Sequence, residues 1–333
     1  LSDELERNVF SGNSIWGVLL FSVGTTDNVI AGNFIGTDAT GHGPLGNGFE
    51  GVYLTFGASS NQIGTNGDGV GDAAEANVIA FNGANGVRVA NVGTAGNSIR
   101  GNSIHSNVLL GIDLNPGNVN DGVTPNDPGD TDTGGNELQN FPVLHNAVSI
   151  APMGTAVAGQ LQSRPGTTYV IDFYASAAAD ASGFGEGERF LGSLTVTTNP
   201  AGIANFAGLL PAATTAGEVL TATATDPVGN TSEFSAAVLV EGPSGDDQAD
   251  LPVLFAITAD RDLALQQADS DGELIAIIPA APHNVLAPAD NVEAGDDGEW
   301  TLVEAPVEAE PESDPDSLDL VFAHLEGLGD VMS

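Results

Sequence analysis

Cysteine and lysine are both absent from this 333-residue chain, and aromatic residues make up only 6% of it. Without cysteine, disulfide bonds and thiolate metal sites are excluded. Without lysine, six arginines face 45 acidic residues, which leaves a net charge of −39. A field of this sign disfavours nucleic acid and anionic membranes as partners, whereas it suits divalent cations or saline surroundings.

Long apolar runs are missing too. No stretch approaches the roughly 20 residues that span a bilayer, and no signal peptide opens the chain, so we predict no membrane span. Glycine and asparagine abound instead, which is typical of short strands joined by tight turns. Because an Asn-rich repeat is already in progress at Asn8, we expect the first domain to be truncated at its N-terminus.

An internal repeat occupies residues 8–141. Its unit reads N-x-Φ-x-G-N-x-I followed by G-[V/I]-x-Φ, where Φ is apolar, and we place its copies at Asn8, Asn28, Asn61 and Asn97. Three short strands in roughly 20 residues are typical of one coil of a right-handed parallel β-helix, so residues 1–144 are predicted to form about four coils. A leucine-rich solenoid is the alternative, disfavoured because leucine is not the repeating residue.

The repeat also predicts which residues face inward. Alternation places Ile30, Ile35, Val52 and Leu54 in the interior, and asparagine at the turns can stack in hydrogen-bonded ladders. We predict one ladder of Asn8, Asn28, Asn61 and Asn97, and another of Asn13, Asn33, Asn77 and Asn102. Spacing alone offers an alternative alignment, in which Asn77, Asn82 and Gly86 match Asn8, Asn13 and Gly17.

An acidic loop, residues 113–136 (the Asp loop), follows the last copy and is predicted to cap the β-helix. It contains a D-x-D-x-G element at 130–134 but lacks the twelfth-position Glu of an EF-hand. So many carboxylates would repel one another without a cation, and hard cations prefer oxygen ligands. We therefore predict a Ca²⁺ site; the alternative is a solvated acidic turn. The candidate ligands are Asp121, Asn126, Asp127, Asp130, Asp132 and Asn136.

Several segments of this region resemble a known family. They are NVIAGNFIG at 28–36, GIDL at 111–114, GVTPNDPGDTD at 122–132 and LQNFPVL at 138–144. They look like large secreted bacterial proteins with right-handed β-helix repeats, and the resemblance continues into residues 183–192 and 222–235. It implies the β-helix fold and an extracellular or cell-surface location in a bacterium, but no particular activity.

Residues 145–241 have a different pattern. Period-two alternation predicts strands at 156–162, 169–175, 189–197, 203–206, 219–225 and 233–240, separated by Pro- and Gly-containing turns. About six or seven short strands in this span are typical of an Ig-like or fibronectin-like β-sandwich. In the second strand, Ile171 and Phe173 share one face while Asp172 and Tyr174 share the other.

Residues 242–333 form a predicted acidic linker and tail, with 22 acidic residues and one arginine. Short apolar runs at 251–257 and 274–278 could be isolated strands, and 282–315 has the composition of a disordered segment. After Pro315, Leu318, Phe322 and Leu325 share one face of a predicted short helix, about 316–328. Such a helix is a candidate docking element for a partner.

Catalytic residues are not evident, and we predict none. Lyase chemistry would need a base such as Arg88 or Arg100 beside carboxylates, and no such pairing is visible in the sequence. We therefore expect a non-catalytic surface, adhesion or stalk module, stabilised by calcium, with polysaccharide or other cell-surface components as candidate partners. The alternative is a polysaccharide lyase or glycoside hydrolase.

An exposed aromatic platform would distinguish an adhesin from a simple spacer. The candidates are Trp16, Phe49, Tyr53 and Phe56. Single exposed apolar residues are common on protein surfaces and need no functional explanation, so these residues support glycan binding only if they lie together.

Overall fold

The computed structural model describes residues 7–117 and 119–242 with their side chains, and the backbone of five short strands further along the chain. The described residues up to 242 belong to one compact unit, and the later strands belong to a second. The regular secondary structure described in the two units is strand, apart from two four-residue helical segments in the first unit, which confirms the all-β prediction.

Eleven short strands occupy residues 9–115. They are β1 Val9–Phe10, β2 Val18–Phe21, β3 Val29–Ile30, β4 Phe34–Ile35, β5 Val52–Thr55, β6 Gln62–Gly64, β7 Val78–Ala80, β8 Val87–Ala90, β9 Ser98–Arg100, β10 Ser103–His105 and β11 Ile112–Asn115. A single helical turn, α1 Asp72–Glu75, separates β6 from β7.

These strands form three parallel sheets. The first contains β1, β4, β7 and β10, the second β2, β5, β8 and β11, and the third β3, β6 and β9. The chain visits the three sheets in the same order on each circuit, so successive circuits stack on one another. We call residues 7–117 the coiled region. Its stacked parallel sheets are compatible with a β-helix.

The interior of the coiled region is apolar, as the alternation predicts. Ile30, Ile35, Val52 and Leu54 are all buried, and they join one core with the equivalent residues of the later coils. The Gly before each strand of the second sheet permits close stacking: a Cβ at Gly51 would lie 2.7 Å from the carbonyl oxygen of Gly86. The repeated Gly of the motif is therefore a steric requirement.

Asparagine ladders run along the coiled region, but their membership differs from the prediction. The observed ladders are Asn8–Asn33–Asn77–Asn102, Asn13–Asn47–Asn82–Asn107 and Asn28–Asn61–Asn97–Asn136. The predicted grouping of Asn8 with Asn28, and of Asn13 with Asn33, is wrong. The shortest coils span 25 residues rather than 20, so the alignment by spacing alone is the one observed.

Each ladder works through the two ends of the side-chain amide. In the interior of the stack, the Asn77 backbone N–H and Nδ2 both donate to Oδ1 of Asn102, at 3.1 and 2.8 Å. The same Nδ2 also donates to the Ile30 carbonyl at 2.7 Å. An amide offers two N–H donors and an acceptor with two lone pairs, so an Asn at each turn satisfies buried backbone groups of neighbouring coils.

Seven longer strands form the second part of this unit. They are β12 Val143–Ile150, β13 Gly154–Gln162, β14 Thr168–Ser176, β15 Arg189–Thr197, β16 Ile203–Leu210, β17 Val219–Thr225 and β18 Val238–Glu241. They form one sheet in the order β15-β14-β17-β18-β12-β13-β16, and the edge strands β15 and β16 lie close enough to nearly close it. We call it the barrel-like sheet.

The barrel-like sheet agrees with most of the predicted strands. Its pairs are antiparallel except β12 with β18. β12 was not predicted, and the predicted strand 233–240 begins only at Val238, because Glu233 and Phe234 contact the coiled region instead. An antiparallel β module is therefore confirmed, whereas its assignment to the Ig-like class stays a prediction.

The last coil of the coiled region is covered by the barrel-like sheet. Acceptors on the sheet and its loops take the hydrogen bonds of backbone N–H groups that the coil leaves open. The pairs are Gly96 with Asn230, Ile99 with Thr231, Gly101 with Tyr174, Ser106 and Asn107 with Glu186, and Leu114 with Glu233. Exposed strand edges invite aggregation, and here the edge is protected within the same chain.

The contact of Glu186 with Asn107 continues one of the ladders. Glu186 Oε1 accepts hydrogen bonds from the backbone N–H and Nδ2 of Asn107, at 2.8 and 3.2 Å, as a further Asn rung would. Tyr174 and Phe234 enter the core of the coiled region itself. The loop at 182–188 therefore contributes a capping residue, Glu186.

In the second unit, β19 Leu254–Ile257, β20 Leu263–Ala268 and β21 Leu274–Ala276 form an antiparallel sheet, and β22 Val292–Ala294 pairs with β23 Trp300–Leu302. Strands near 251–257 and 274–278 were predicted. The hairpin of β22 and β23 lies inside the stretch predicted to be disordered. The predicted helix at 316–328 lies outside the described residues.

Candidate functional site

Two features of the first unit could bind a ligand: a cluster of carboxylates in the Asp loop and a groove on the second parallel sheet. In the Asp loop, carboxylate oxygens of Asp127, Asp130 and Asp132 all lie within 4.8 Å of one another. Three of the six predicted metal ligands are thus brought together. A convergence of this kind is the arrangement that a hard cation requires.

Asp130 anchors the cluster to the barrel-like sheet. Its side chain is buried, and Oδ2 accepts a hydrogen bond from Ser163 Oγ at 2.6 Å while Oδ1 accepts one from the Asn140 N–H at 3.0 Å. Burial raises the pKa of its carboxyl, against the lowering effect of the Ser163 and Asn140 hydrogen bonds. A cation held here would link the loop to Ser163, at the end of β13.

Asp132 has an unsatisfied atom. Its Oδ1 is buried and has no hydrogen-bond partner among the described residues. Burial, and after it the charges of Asp127 and Asp130, raises the pKa of its carboxyl to about 6. An orphaned buried acceptor beside two further carboxylates is the pattern expected where a positive charge belongs.

The other three predicted ligands lie elsewhere. Asn126 exchanges hydrogen bonds with the backbone N–H and C=O of Phe141, at 3.0 and 2.8 Å. Asn136 is the last rung of a ladder, where Oδ1 accepts from the Asn97 N–H and Nδ2 donates to the Asn97 carbonyl. Asp121 accepts a hydrogen bond from Asn115. Asp121 is outside the group of carboxylates that converge, and the amides of Asn126 and Asn136 are engaged in the hydrogen bonds just described.

The groove lies on the outer face of the second sheet. Its strands align Leu19, Tyr53, Arg88 and Asp113 in one row, because β2, β5, β8 and β11 pair in register. The row changes from apolar through aromatic to charged. The Asp loop crosses the charged end, where Val119 and Asn120 contribute to the wall.

Aromatic side chains line the other end of this groove, whose volume is about 740 Å³. All four aromatic candidates from the sequence are present, Trp16, Phe49, Tyr53 and Phe56, together with Phe21. Trp16 lies 5.6 Å from Tyr53 and Phe21 lies 5.2 Å from Phe56, measured between ring centroids. Phe21, Phe49 and Phe56 are each about half exposed. The four candidate residues therefore lie together and form an aromatic platform.

Arg88 forms the charged floor of the groove. Only 6% of the residue is exposed. Its Nη1 lies 3.5 Å from Glu50 Oε1, and its Nε lies 3.6 Å from Asp113 Oδ2 and donates to Asn115 Oδ1 at 2.7 Å. Its guanidinium carbon lies 5.3 Å from the Tyr53 ring centroid. The Nη2 atom is buried without a hydrogen-bond partner among the described residues.

Asp113 lies beside Arg88 in the last strand of the row. Burial raises the pKa of its carboxyl from the usual 3.8 to about 7, although Arg88 opposes the shift, and the charges of Asp121 and Glu50 add to it. Its oxygens are held by Asn85 and Asn115. Asp113 is only 1% exposed and does not line the groove, so it supports Arg88 from the side, within the same row.

The sequence showed no carboxylate partner for Arg88. The structure shows that Glu50 is one, because it is buried against Arg88. Arg100 also lacked a visible partner, and it pairs with Asp172, 72 positions away. No local spacing signals such pairs. For Glu50, the only sequence signal of a position next to the second sheet was that it directly precedes Gly51, the glycine before β5.

Comparisons with known proteins add no family to these observations. No model of a known protein family matches the sequence, and no significantly similar sequence was found among curated proteins. Within the described residues, no helix is both long enough and apolar enough to cross a membrane. The resemblance to secreted bacterial β-helix repeat proteins rests on the sequence segments quoted above and on the parallel sheets.

Proposed function

We propose that this chain is an extracellular or cell-surface module that binds polysaccharide through the groove on its second parallel sheet. In this proposal the coiled region is a right-handed parallel β-helix and the barrel-like sheet is an Ig-like module. The observation that carries the proposal is the clustering of five aromatic residues around one groove with a buried arginine in its floor. Sugar rings combine apolar C–H faces with hydroxyl groups, and binding sites that combine apolar walls with a few polar groups suit such ligands.

Binding is tested by applying the full chain to an array of bacterial, plant and animal glycans, followed by calorimetry with the strongest ligand. Trp16→Ala should weaken binding roughly tenfold or more, because an aromatic anchor at a binding site contributes more than about 1.4 kcal/mol. Phe190→Ala, which removes an aromatic of moderate exposure outside the groove, is the matched control. Equal loss in both variants, or no glycan bound by the unaltered protein, would reject the proposal.

Calcium is the second part of the proposed function, as a stabilising ion held by Asp127, Asp130 and Asp132. Three carboxylates supply part of the six to eight oxygens that Ca²⁺ takes, so backbone oxygens or water would supply the others. The orphaned Oδ1 of Asp132 supports this choice. Because Asp130 is bonded to Ser163, the ion would stiffen the link between the Asp loop and the barrel-like sheet, which suits an adhesin or stalk.

Thermal unfolding with Ca²⁺ and with chelator tests this part. At a free Ca²⁺ concentration about 100 times the dissociation constant, binding adds about 2.7 kcal/mol, which raises Tm by roughly 5–10 °C in a unit of this size. Asp132→Asn should abolish most of the increase, whereas Asp68→Asn, an exposed acid in another loop, should preserve it. Identical Tm values with Ca²⁺ and chelator would exclude the site.

A polysaccharide lyase or glycoside hydrolase remains the second candidate function, favoured by the raised pKa of Asp113 beside Arg88. A general acid needs contact with the bond that it protonates, and the burial of Asp113 outside the groove lining opposes this role. Incubation of the full chain with the glycan that it binds, followed by reducing-end and unsaturated-uronate assays, distinguishes the two. Product formation that Asp113→Asn abolishes would establish the enzyme.

A further inference from the structure

We infer that the groove selects uncharged sugar chains, and that the Arg88–Glu50 pair is its specificity determinant. The inference rests on the proposed function, because it specifies the class of polysaccharide that the groove takes. Its observation is the balance of charge in the groove: Arg88 and Glu50 are its charged lining residues, one of each sign, 3.5 Å apart.

The positive charge of Arg88 is already neutralised inside the protein. Glu50 and Asp113 lie 3.5 and 3.6 Å from its guanidinium nitrogens, and Asp121 shares the Asn115 side chain with this cluster. A uronate carboxylate or a sulfate that approached Arg88 would also approach Glu50. Like charges at this separation in a partly desolvated site repel strongly. For an acidic sugar, the repulsion from Glu50 would therefore cancel the attraction to Arg88.

The guanidinium still lacks an acceptor. Arg88 Nη2 is buried, is unpaired among the described residues and belongs to a side chain in the groove floor. A sugar hydroxyl accepts a hydrogen bond through its lone pairs and donates its own proton. It can therefore accept from Arg88 and donate to the neighbouring carboxylate of Glu50 without bringing a charge into the site. Hydrogen bonds of this kind to charged groups are stronger than neutral ones.

Two further observations point the same way. The aromatic rings at the other end of the groove, Trp16, Phe21, Phe49 and Phe56, present apolar area that suits the C–H faces of unsubstituted pyranose rings. The chain as a whole carries a net charge of −39, which slows and weakens the approach of any polyanion. A neutral chain meets neither obstacle.

The test compares matched oligosaccharides by calorimetry with the full chain at 0.15 M NaCl and with chelator present, so that Ca²⁺ cannot bridge two acids. The probes are cellohexaose, mannohexaose and xylohexaose as neutral chains, and hexagalacturonate and a sulfated hexasaccharide as acidic ones, together with the array described above. We expect the best neutral chain to bind at least tenfold more tightly than either acidic one. An acidic chain that binds more tightly than every neutral chain would overturn the inference while leaving glycan binding intact.

Glu50→Gln provides the decisive variant. Removing the like charge should weaken the neutral chain and strengthen hexagalacturonate, which shifts the ratio of their affinities by roughly tenfold or more. A purely structural role for Glu50 would weaken both chains equally and leave the ratio unchanged, which would overturn the inference. Glu241→Gln, an exposed acid outside the groove, should alter neither affinity, and Tm measurements show whether each variant is folded. Failure of every glycan to bind would refute both the inference and the function beneath it.

Discussion

Arg100 in β9 and Asp172 in β14 form a bidentate ion pair, with Nε–Oδ2 and Nη2–Oδ1 distances of 2.9 and 3.0 Å. The Asp172 side chain is 1% exposed and the Arg100 side chain 14%. Asp172 also accepts a hydrogen bond from Ser193 Oγ at 2.6 Å. The pair joins the coiled region to the barrel-like sheet, so the two parts share a buried charge pair as well as an apolar core.

Arg100→Ala should destabilise the protein by about 3–5 kcal/mol, because it leaves Asp172 buried without its counter-charge. Urea unfolding of the full chain measures the effect. The double variant Arg100→Ala/Asp172→Ala should be less destabilised than the sum of the two single variants, since neither charge is then left alone. Arg189 and Glu218 form a comparable pair that is much more exposed, and Arg189→Ala should change stability by less than about 1 kcal/mol. Similar losses for Arg100 and Arg189 would contradict this account.

Position within a ladder should decide the importance of an asparagine. Asn97 is fully buried, and its amide accepts from the N–H and Nδ2 of Asn61 and donates to the Ala58 carbonyl. Asn97→Ala leaves those groups without hydrogen-bond partners, which costs about 1–3 kcal/mol for each group. We therefore expect the free energy of unfolding to decrease by about 3 kcal/mol or more. Asn28→Ala removes the exposed first rung of the same ladder and should lose less than about 1 kcal/mol. Denaturant midpoints of the two variants measure the losses. An equal loss of stability in both would show that the hydrogen bonds of the ladder do not determine the importance of an asparagine.

The sequence predicts the strands and the interior of the coiled region well, because both follow from local alternation. Ile35 and Leu54 are fully buried because alternate residues of each short strand point into the interior. The number of residues in each coil could not be predicted from local alternation. Asn8 and Asn28 each stand immediately before a valine that begins a strand, so they look equivalent in the sequence, although the two strands belong to different sheets. Only the pairing of strands distinguishes them.

The metal candidates show the same limitation. Asn136 and Asp130 both lie in a loop whose composition suits a cation, yet Asn136 is a ladder rung with its amide fully engaged. Asp172 and Tyr174 were expected to share the face opposite Ile171 and Phe173, and both faces are buried because the second one packs against the coiled region. The role of Asn136 and the burial of Asp172 and Tyr174 both depend on contacts between residues far apart in the sequence. Such contacts cannot be predicted from the local sequence pattern.

Glu186 should behave as the terminal rung of a ladder. Its carboxylate accepts from the N–H groups of Ser106 and Asn107, at 2.6 and 2.8 Å. Glu186→Ala leaves both donors unpaired, so we expect a loss of about 2–3 kcal/mol and a decrease in Tm of roughly 4–10 °C. Amide hydrogen exchange at Ser106 and Asn107 should accelerate. Glu188→Ala removes an exposed neighbour and should stay within about 0.5 kcal/mol of the unaltered protein. Unchanged exchange at Ser106 in Glu186→Ala would show that the cap lies elsewhere.

Asp113 should make the protein less stable as pH rises. Its pKa is about 7 in the folded protein, against 3.8 ordinarily, chiefly because of burial. Between these two values the folded state binds more protons than the unfolded state, so the free energy of unfolding decreases with increasing pH. This contribution is fully present below about pH 4 and is lost by about pH 7 or slightly above. Its size is on the order of a few kcal/mol.

Asp113→Asn isolates that contribution from other buried acids, such as Glu233, whose pKa burial also raises. We expect the stability of this variant relative to the unaltered protein to increase by a few kcal/mol between about pH 4.5 and pH 8, because the substituted amide does not titrate in this range. Urea unfolding at several pH values measures the difference. Asp68→Asn, a substitution at an exposed acid, should show a nearly constant offset. A constant offset for Asp113→Asn as well would mean that the Asp113 carboxylate is ionised throughout this range, and that Arg88 outweighs the effect of burial.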